Sequence, residues 1–186
     1  MIIDPEYQAQ LVVMHRQGRF VRGSKMLDVM RPVIEQYQPA SILDFGCGHG
    51  ALIDGTRQAY PHIHVDGYDP GNHQYSQVPE QSFDMIVSND VFEHIEPEYL
   101  STTLQLINNK MNMVGWFRIA CYPAKKTLPD GRNAHLIVEL PEWWRDQLLE
   151  NMNVEFVSET ITEFDRTDKW PEVKGCIYDV VVKKVK

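Results

Sequence analysis

The sequence contains few cysteines, and their spacing fits neither a disulfide framework nor a zinc site. Only three occur among 186 residues, Cys47, Cys121 and Cys176, and no two of them form a CxxC pair. An odd number of widely separated thiols argues against a small disulfide-stapled domain and leaves no zinc quartet. We therefore expect a protein of the reducing cytoplasm.

Long apolar runs and positive charge are also scarce. No stretch approaches the roughly 18 uninterrupted apolar residues of a membrane span, and the N-terminal segment lacks the apolar core of a secretory signal. The net charge of −8 repels a phosphate backbone. We therefore expect a small-molecule substrate and no membrane partner, with no indication of an oligomeric state. Local binding of nucleic acid is an alternative that two basic clusters leave open. The clusters are Arg16, Arg19, Arg22 and Lys25, and Lys125, Lys126 and Arg132.

Helical and strand-like segments alternate along the chain, which predicts an α/β fold with a doubly wound, mostly parallel sheet. Residues 24–37 carry apolar side chains at helical spacing, which predicts a helix that Ser24 caps and Pro32 bends. Residues 41–45 form a short apolar run that predicts a buried strand. Further helices are predicted at 51–60, 97–110 and 141–151. Further strands are predicted at 62–68, 83–88, 114–121, 154–161 and 176–182. No helix separates the last two strands, so we expect an antiparallel C-terminal strand.

The connection between the strands at 62–68 and 83–88 is unusually short. Only 14 residues, 70–83, are available there, too few for a full strand-plus-helix crossover. We therefore expect a shortened third strand and helix region. The total length fits one domain spanning residues 1–186.

A glycine-rich loop follows the first predicted strand directly. It reads Leu-Asp-Phe-Gly-Cys-Gly-His-Gly over residues 43–50, and a predicted helix comes next. Glycines there permit a sharp turn and a close approach of ligand to backbone. Asp69 ends the second strand 19 residues after Gly50, where an acid can accept hydrogen bonds from both hydroxyls of an adenosine ribose. The register does not fit the GxGxxG fingerprint of nicotinamide enzymes.

The loop instead resembles the D/E-x-G-x-G-x-G signature of class I S-adenosylmethionine-dependent methyltransferases. Asp44, Gly46, Gly48 and Gly50 match its four fixed positions. Asp69-Pro70 is similar to the family's ribose-binding acid, and the segment Asp-Val-Phe-Glu-His-Ile at 90–95 is similar to the turn after its fourth strand. The resemblance covers residues 40–121. It implies a Rossmann-like fold and S-adenosylmethionine as the cofactor.

The resemblance also assigns roles by position. It implies that the cofactor lies against Asp44, Phe45, Gly46, Cys47, Gly48, Asp69, Pro70, Asn89 and Asp90. The acid that many relatives use for the adenine amino group has no match, since Gln77-Val78-Pro79 occupies that region. Residues 1–38 are expected to form a helical cap, in which Tyr7, His15, Arg16, Arg19, Phe20 and Arg22 are candidates for closing over the cofactor.

Asp90, Glu93 and His94 stand at i, i+3 and i+4. A helical turn would project them to one side, and two carboxylates with an imidazole suit Mg²⁺ or Mn²⁺. Some relatives bind a metal through a similar E-x-x-E-H cluster, and His135 is a candidate fourth ligand here. In other relatives the Glu-His pair only packs the loop. His94 and His135 are also candidates for the catalytic base, because an imidazole titrates near neutrality.

The substrate side is predicted in the long loop 122–140 and the helix after it. Ligands of wound sheets bind outside the carboxyl ends of the strands, where this loop begins. Its substrate candidates are Arg132, Asn133 and His135, and Trp144 is a fourth from the following helix.

The predicted function is methyl transfer to an oxygen or nitrogen of a small molecule or modified nucleotide. The D/N/S-P-P-Y/F motif of nucleic-acid amino methyltransferases is absent, since Ser88-Asn89-Asp90-Val91 stands in its place. Two alternatives stay open: an enzyme that cleaves S-adenosylmethionine on the same scaffold, and a non-catalytic partner subunit.

Overall fold

Six strands form one sheet in the computed structural model, which describes residues 2–17, 26–165 and 174–185. The strands are β1 (Ser41–Phe45), β2 (His64–Tyr68), β3 (Phe83–Asn89), β4 (Met111–Ala120), β5 (Val154–Asp165) and β6 (Lys174–Lys184). Their order across the sheet is β2-β1-β3-β4-β6-β5. The first four run parallel, whereas β6 is antiparallel to both β4 and β5. The predicted mostly parallel sheet with an antiparallel C-terminal strand is confirmed.

Helices cover both faces of the sheet. They are α1 (Pro5–Arg16), α2 (Met26–Tyr37), α3 (Ala51–Ala59), α4 (Pro97–Lys110) and α5 (Pro141–Asn151). Leu43 and Phe45 of β1 pack with α4 and α5 in one apolar cluster, whereas Ile42 between them packs with α2 and α3 in another. Successive side chains of a strand alternate between faces, so a short strand buried on both sides needs an almost continuous apolar run. This arrangement is the predicted double winding.

The connection from β2 to β3 contains one 3-10 turn, His73–Tyr75, and no further strand or helix among the described residues. The predicted shortening of the third strand and helix region is therefore confirmed. Pro32 lies inside α2, and the helix continues past it to Tyr37. The predicted cap at Ser24 lies outside the described residues.

The two C-terminal strands are longer than predicted. β5 extends to Asp165 rather than ending near residue 161, and β6 begins at Lys174. Most side chains of β5 are exposed because it lies at the edge of the sheet, so no apolar alternation marks its full length. Within the described residues, no helix is long and apolar enough to cross a bilayer.

Candidate active site

A cavity of about 720 Å³ opens where the four parallel strands end. The last residues of β1, β2, β3 and β4 all line it: Phe45, Tyr68, Asn89 and Ala120. Every one of the nine residues predicted to bind the cofactor also lines this cavity, as do His94 and His135. Its volume is within the range of about 300–1,000 Å³ typical of small-molecule sites.

The glycine loop forms one wall of the cavity, and its backbone has a conformation that few residue types other than glycine adopt. Gly46, Gly48 and Gly50 have φ angles of 87°, 57° and 81°, which favour glycine. A Cβ atom on Gly46 would lie 2.2 Å from Cγ2 of Val91. The backbone N–H groups of Gly46 and Cys47 both donate to the carbonyl oxygen of Tyr68, at 2.7 and 3.1 Å. These bonds fix the loop against the end of β2.

Asp69 is buried beside this loop, and its carboxylate is held by three groups. The backbone N–H of Gly48 donates to Oδ2 at 2.8 Å, and that of Gly71 donates to Oδ1 at 2.9 Å. Nε2 of His15 lies 3.3 Å from Oδ1. Burial raises the pKa of Asp69 and lowers the pKa of His15, while the attraction between the two groups opposes both shifts.

Asp44 is the second buried carboxyl at this end of the cavity, with 4% of its surface exposed. Burial, and then the nearby charge of Asp69, raises the pKa of Asp44 to about 7. A cation placed beside the carboxylate would favour its ionised form. The group is therefore suited to a positively charged ligand.

The N-terminal helix α1 lies across the cavity and contributes Tyr7, Leu11 and His15 to its lining. The hydroxyl of Tyr7 donates to the carbonyl oxygen of His94 at 2.7 Å, and Nε2 of Gln8 donates to that of Pro70 at 3.1 Å. One helix thus contacts both the loop after β2 and the turn after β3. Arg16 is exposed at the end of α1, and the other predicted cap residues, Arg19, Phe20 and Arg22, lie outside the described residues.

Two imidazoles stand together in another part of the cavity lining. The rings of His94 and His135 meet edge to face, with centroids 4.8 Å apart. Nδ1 of His94 lies 2.6 Å from the carbonyl oxygen of Ala134, and Nδ1 of His135 lies 2.5 Å from that of Tyr122. A carbonyl only accepts, so each Nδ1 carries a proton and the lone pair of the neutral ring is on Nε2. Burial, and then the neighbouring His135, lowers the pKa of His94 to about 4.

Glu93 is fully buried next to this pair. The backbone N–H of Ala120 donates to its Oε1 at 3.2 Å, whereas Oε2 has no hydrogen-bond partner among the described residues. Burial, and then the charge of Asp90, raises the pKa of Glu93. Glu93, His94 and His135 offer ligand atoms that all lie within 4.8 Å of one another.

The prediction that Asp90 joins this group on a helical face is wrong. The turn contains only a 3-10 helix, Phe92–His94, and Asp90 precedes it with a φ of 54°. The helical i, i+3, i+4 relation therefore does not apply. Asp90 lines the cavity but lies outside the group of potential metal ligands.

Of the four substrate candidates, His135 lines the cavity, whereas Arg132, Asn133 and Trp144 do not. Trp144 is fully buried in the apolar cluster beneath α4 and α5. Arg132 pairs with Asp130 at 2.8 Å and with Glu96 at 3.5 Å. Asn133 holds its own loop, since its amide exchanges two hydrogen bonds with the backbone of Ala124.

Residues that the sequence did not single out also line the cavity, among them Tyr122 and Phe164. Tyr122 follows β4 closely, which is a detectable signal, since ligands of wound sheets bind beyond the strand ends. Phe164 lies on the edge strand β5, and nothing in its local sequence indicates the cavity.

Comparison with known proteins gives a family and a fold. A family model that describes a methyltransferase domain matches residues 19–166. Coclaurine N-methyltransferase bound to N-methylheliamine and S-adenosylhomocysteine is similar with a TM-score of 0.62 at 13% identity, over 86% of this chain and 72% of that one. An S-adenosylmethionine-dependent methyltransferase from Clostridium acetobutylicum is similar with a TM-score of 0.61 at 13% identity, over 97% and 99% of the two chains.

A third similar structure is the 1,6-didemethyltoxoflavin-N1-methyltransferase of Burkholderia thailandensis, with 1,6-didemethyltoxoflavin and S-adenosylhomocysteine bound. Its TM-score is 0.58 at 18% identity, over 97% of this chain and 88% of that one. At these identities the likeness shows the fold. No curated protein matches the chain.

Proposed function

The chain belongs to the class I S-adenosylmethionine-dependent methyltransferases, and we propose that it transfers a methyl group to an oxygen or nitrogen atom of a small molecule. One observation carries the proposal. A single cavity is lined both by a glycine loop with two buried carboxyls, Asp44 and Asp69, and by an imidazole pair. The first group suits the cofactor, and the second suits an acceptor that must lose a proton.

The cofactor would lie along the glycine loop with its ribose at Asp69. Oδ1 and Oδ2 of that carboxylate each accept one backbone N–H, which orients both oxygens. Oδ2 keeps a second lone pair for a ribose hydroxyl, whereas Oδ1 also lies 3.3 Å from Nε2 of His15. The methionine part would pass Phe45, Gly46, Cys47 and Gly48, with its cationic groups near Asp44. Asn89 supports the placement, because its buried Oδ1 has no hydrogen-bond partner among the described residues. Pro70 and Asp90 would complete the adenosine side.

S-adenosylmethionine supplies an electrophilic methyl group on a sulfonium, whose carbon–sulfur bond breaks as the acceptor atom attacks. The protein's contribution is alignment in a water-poor cavity and removal of the acceptor's proton. Nε2 of His94 or His135 would accept that proton, because each Nδ1–H is committed to a backbone carbonyl. The carbonyl contacts also prevent the rings from turning away.

The same imidazoles have a second candidate role with Glu93, as ligands of a divalent cation. The buried Oε2 of Glu93, which lacks a hydrogen-bond partner among the described residues, favours it. Two imidazoles and one carboxylate suit Mn²⁺ better than Mg²⁺, which prefers oxygen ligands. Such an ion would supply Lewis acidity to an acceptor oxygen. A rise in melting temperature with Mn²⁺ that His135→Ala removes would support this role, and full methyl transfer by chelator-treated protein would exclude a requirement for it.

The experiment for the proposed function is product analysis. Protein is incubated with S-adenosylmethionine carrying a labelled methyl group and a mixture of small hydroxyl and amino acceptors, and both products are separated. S-adenosylhomocysteine together with a labelled acceptor supports transfer. Methylthioadenosine would instead identify a cofactor-cleaving enzyme. Absence of both products, with no cofactor binding, would identify a partner subunit.

A further inference from the structure

Four aromatic rings form a continuous series along the lining of the cavity. Phe164 meets Tyr122 edge to face with centroids 5.2 Å apart, and Tyr122 meets His135 at 5.4 Å. His135 in turn meets His94 at 4.8 Å. All four residues line the cavity and all are half-buried. An acceptor beside the imidazoles would therefore have the ring of Tyr122 close by, and that of Phe164 next to it.

The position of Phe164 depends on an extension of the C-terminal hairpin. The pairing of β4 with β6 ends at Ala120 and Ile177, but β5 and β6 continue beyond it for three more pairs. Phe164 lies in this extension, opposite Gly175. A glycine presents no side chain, so its place in the strand leaves room beside the ring.

Packing in the hydrophobic core does not account for the positions of the Tyr122 and Phe164 rings. The three apolar clusters of the described residues include neither Tyr122 nor Phe164. Phe156 on the same strand, by contrast, packs against the largest cluster. Aromatic residues of this size normally bury their faces in the core or against a ligand.

Resting on the proposed function, we propose that the methyl acceptor is a flat aromatic molecule that binds against Tyr122 and Phe164. Both rings line the cavity, and their planes stand at 85° to each other. Aromatic partners prefer offset-stacked and edge-to-face contacts, and a planar acceptor gains both here. A saturated acceptor of the same size would fill the space without these contacts.

The placement also aligns the reacting atom. The carbonyl oxygen of Tyr122 accepts from Nδ1 of His135, so the residue whose ring contacts the acceptor also orients an imidazole. An acceptor hydroxyl or N–H at the inner edge of the flat ring then points toward Nε2 of the histidine pair. In the transfer, the acceptor's lone pair would form the new bond to the methyl carbon while the carbon–sulfur bond breaks and its electron pair stays on sulfur, and the acceptor's proton would go to that nitrogen.

The test measures binding of matched probes by calorimetry, with and without S-adenosylhomocysteine. The flat probes are 2-naphthol, 7-hydroxycoumarin and 8-hydroxyquinoline, and each is compared with its ring-saturated counterpart. We expect at least one flat probe to bind more tightly than its counterpart. Phe164→Leu and Tyr122→Leu should each weaken that binding roughly two- to tenfold. Phe156→Leu, on the same strand but outside the cavity, should not.

Two results would overturn the inference: no flat probe preferred over its saturated counterpart, or equal probe affinities for the native protein and both cavity variants. Cofactor binding is recorded separately in every sample. A protein that binds flat probes but no cofactor would contradict the proposed function alone, whereas one that binds cofactor but prefers saturated probes would contradict only this inference.

Discussion

Asp44→Asn should stabilise the cofactor-free protein, by an amount that depends on pH. The carboxyl is 4% exposed, and burial raises its pKa from 3.8 to about 7. Because the folded pKa lies above the unfolded one, the folded state binds more protons between these values, and the free energy of unfolding falls as pH rises through this window. The shift is about three pKa units at about 1.36 kcal/mol each, which gives a cost of about 4 kcal/mol at pH 7 and above. Asparagine carries no charge and avoids that cost.

The assay is urea unfolding of native protein and Asp44→Asn at pH 5, 6, 7 and 8. The difference in unfolding free energy should grow from about 1–2 kcal/mol at pH 5 to about 4 kcal/mol at pH 7, and then stay constant. Asp54→Asn, which makes the same change at an exposed position of α3, is the control and should show no such trend. A difference for Asp44→Asn that stays constant from pH 5 to 8 would refute the reasoning.

Three further substitutions test separate parts of the structure. Gly46→Ala should lower stability by about 2 kcal/mol or more, measured by urea unfolding, because its Cβ would lie 2.2 Å from Val91 at a φ of 87°. Trp144→Ala should cost about 3–5 kcal/mol by the same assay, and unaltered stability would contradict its burial. His94→Gln should slow methyl transfer about 100-fold or more while cofactor affinity stays unchanged, and a native rate would exclude its role as base.

The cofactor end of the site was predictable because its signal is local. Asp44 and the three glycines lie in one short loop of the sequence. Each of these glycines marks a position of positive φ, a conformation that glycine adopts readily. Asp69 is distant in sequence, but its place at the end of a neighbouring parallel strand follows from the predicted topology. The shortened connection between β2 and β3 was likewise predictable, because its 14 residues are too few for a full strand-plus-helix crossover.

The acceptor end was predicted less well because its geometry depends on long-range packing. Adjacent helix positions point about 100° apart, so whether Trp144 faces the core or the cavity depends on how α5 packs on the sheet. Asp90 adopts a left-handed conformation, which the spacing alone does not indicate. Phe164 lines the cavity from the extension of the C-terminal hairpin, where it is paired with Gly175 on β6.

The central claim, a cofactor site at the glycine loop and Asp69, is tested most directly by calorimetric titration of S-adenosylmethionine and S-adenosylhomocysteine. Native protein should bind both in the micromolar range. Asp69→Ala should weaken both at least about tenfold through loss of charged hydrogen bonds to the ribose. Asp66→Ala, on the same strand but not lining the cavity, should bind like native protein. Absence of binding by native protein, or unchanged affinity in Asp69→Ala, would contradict the account.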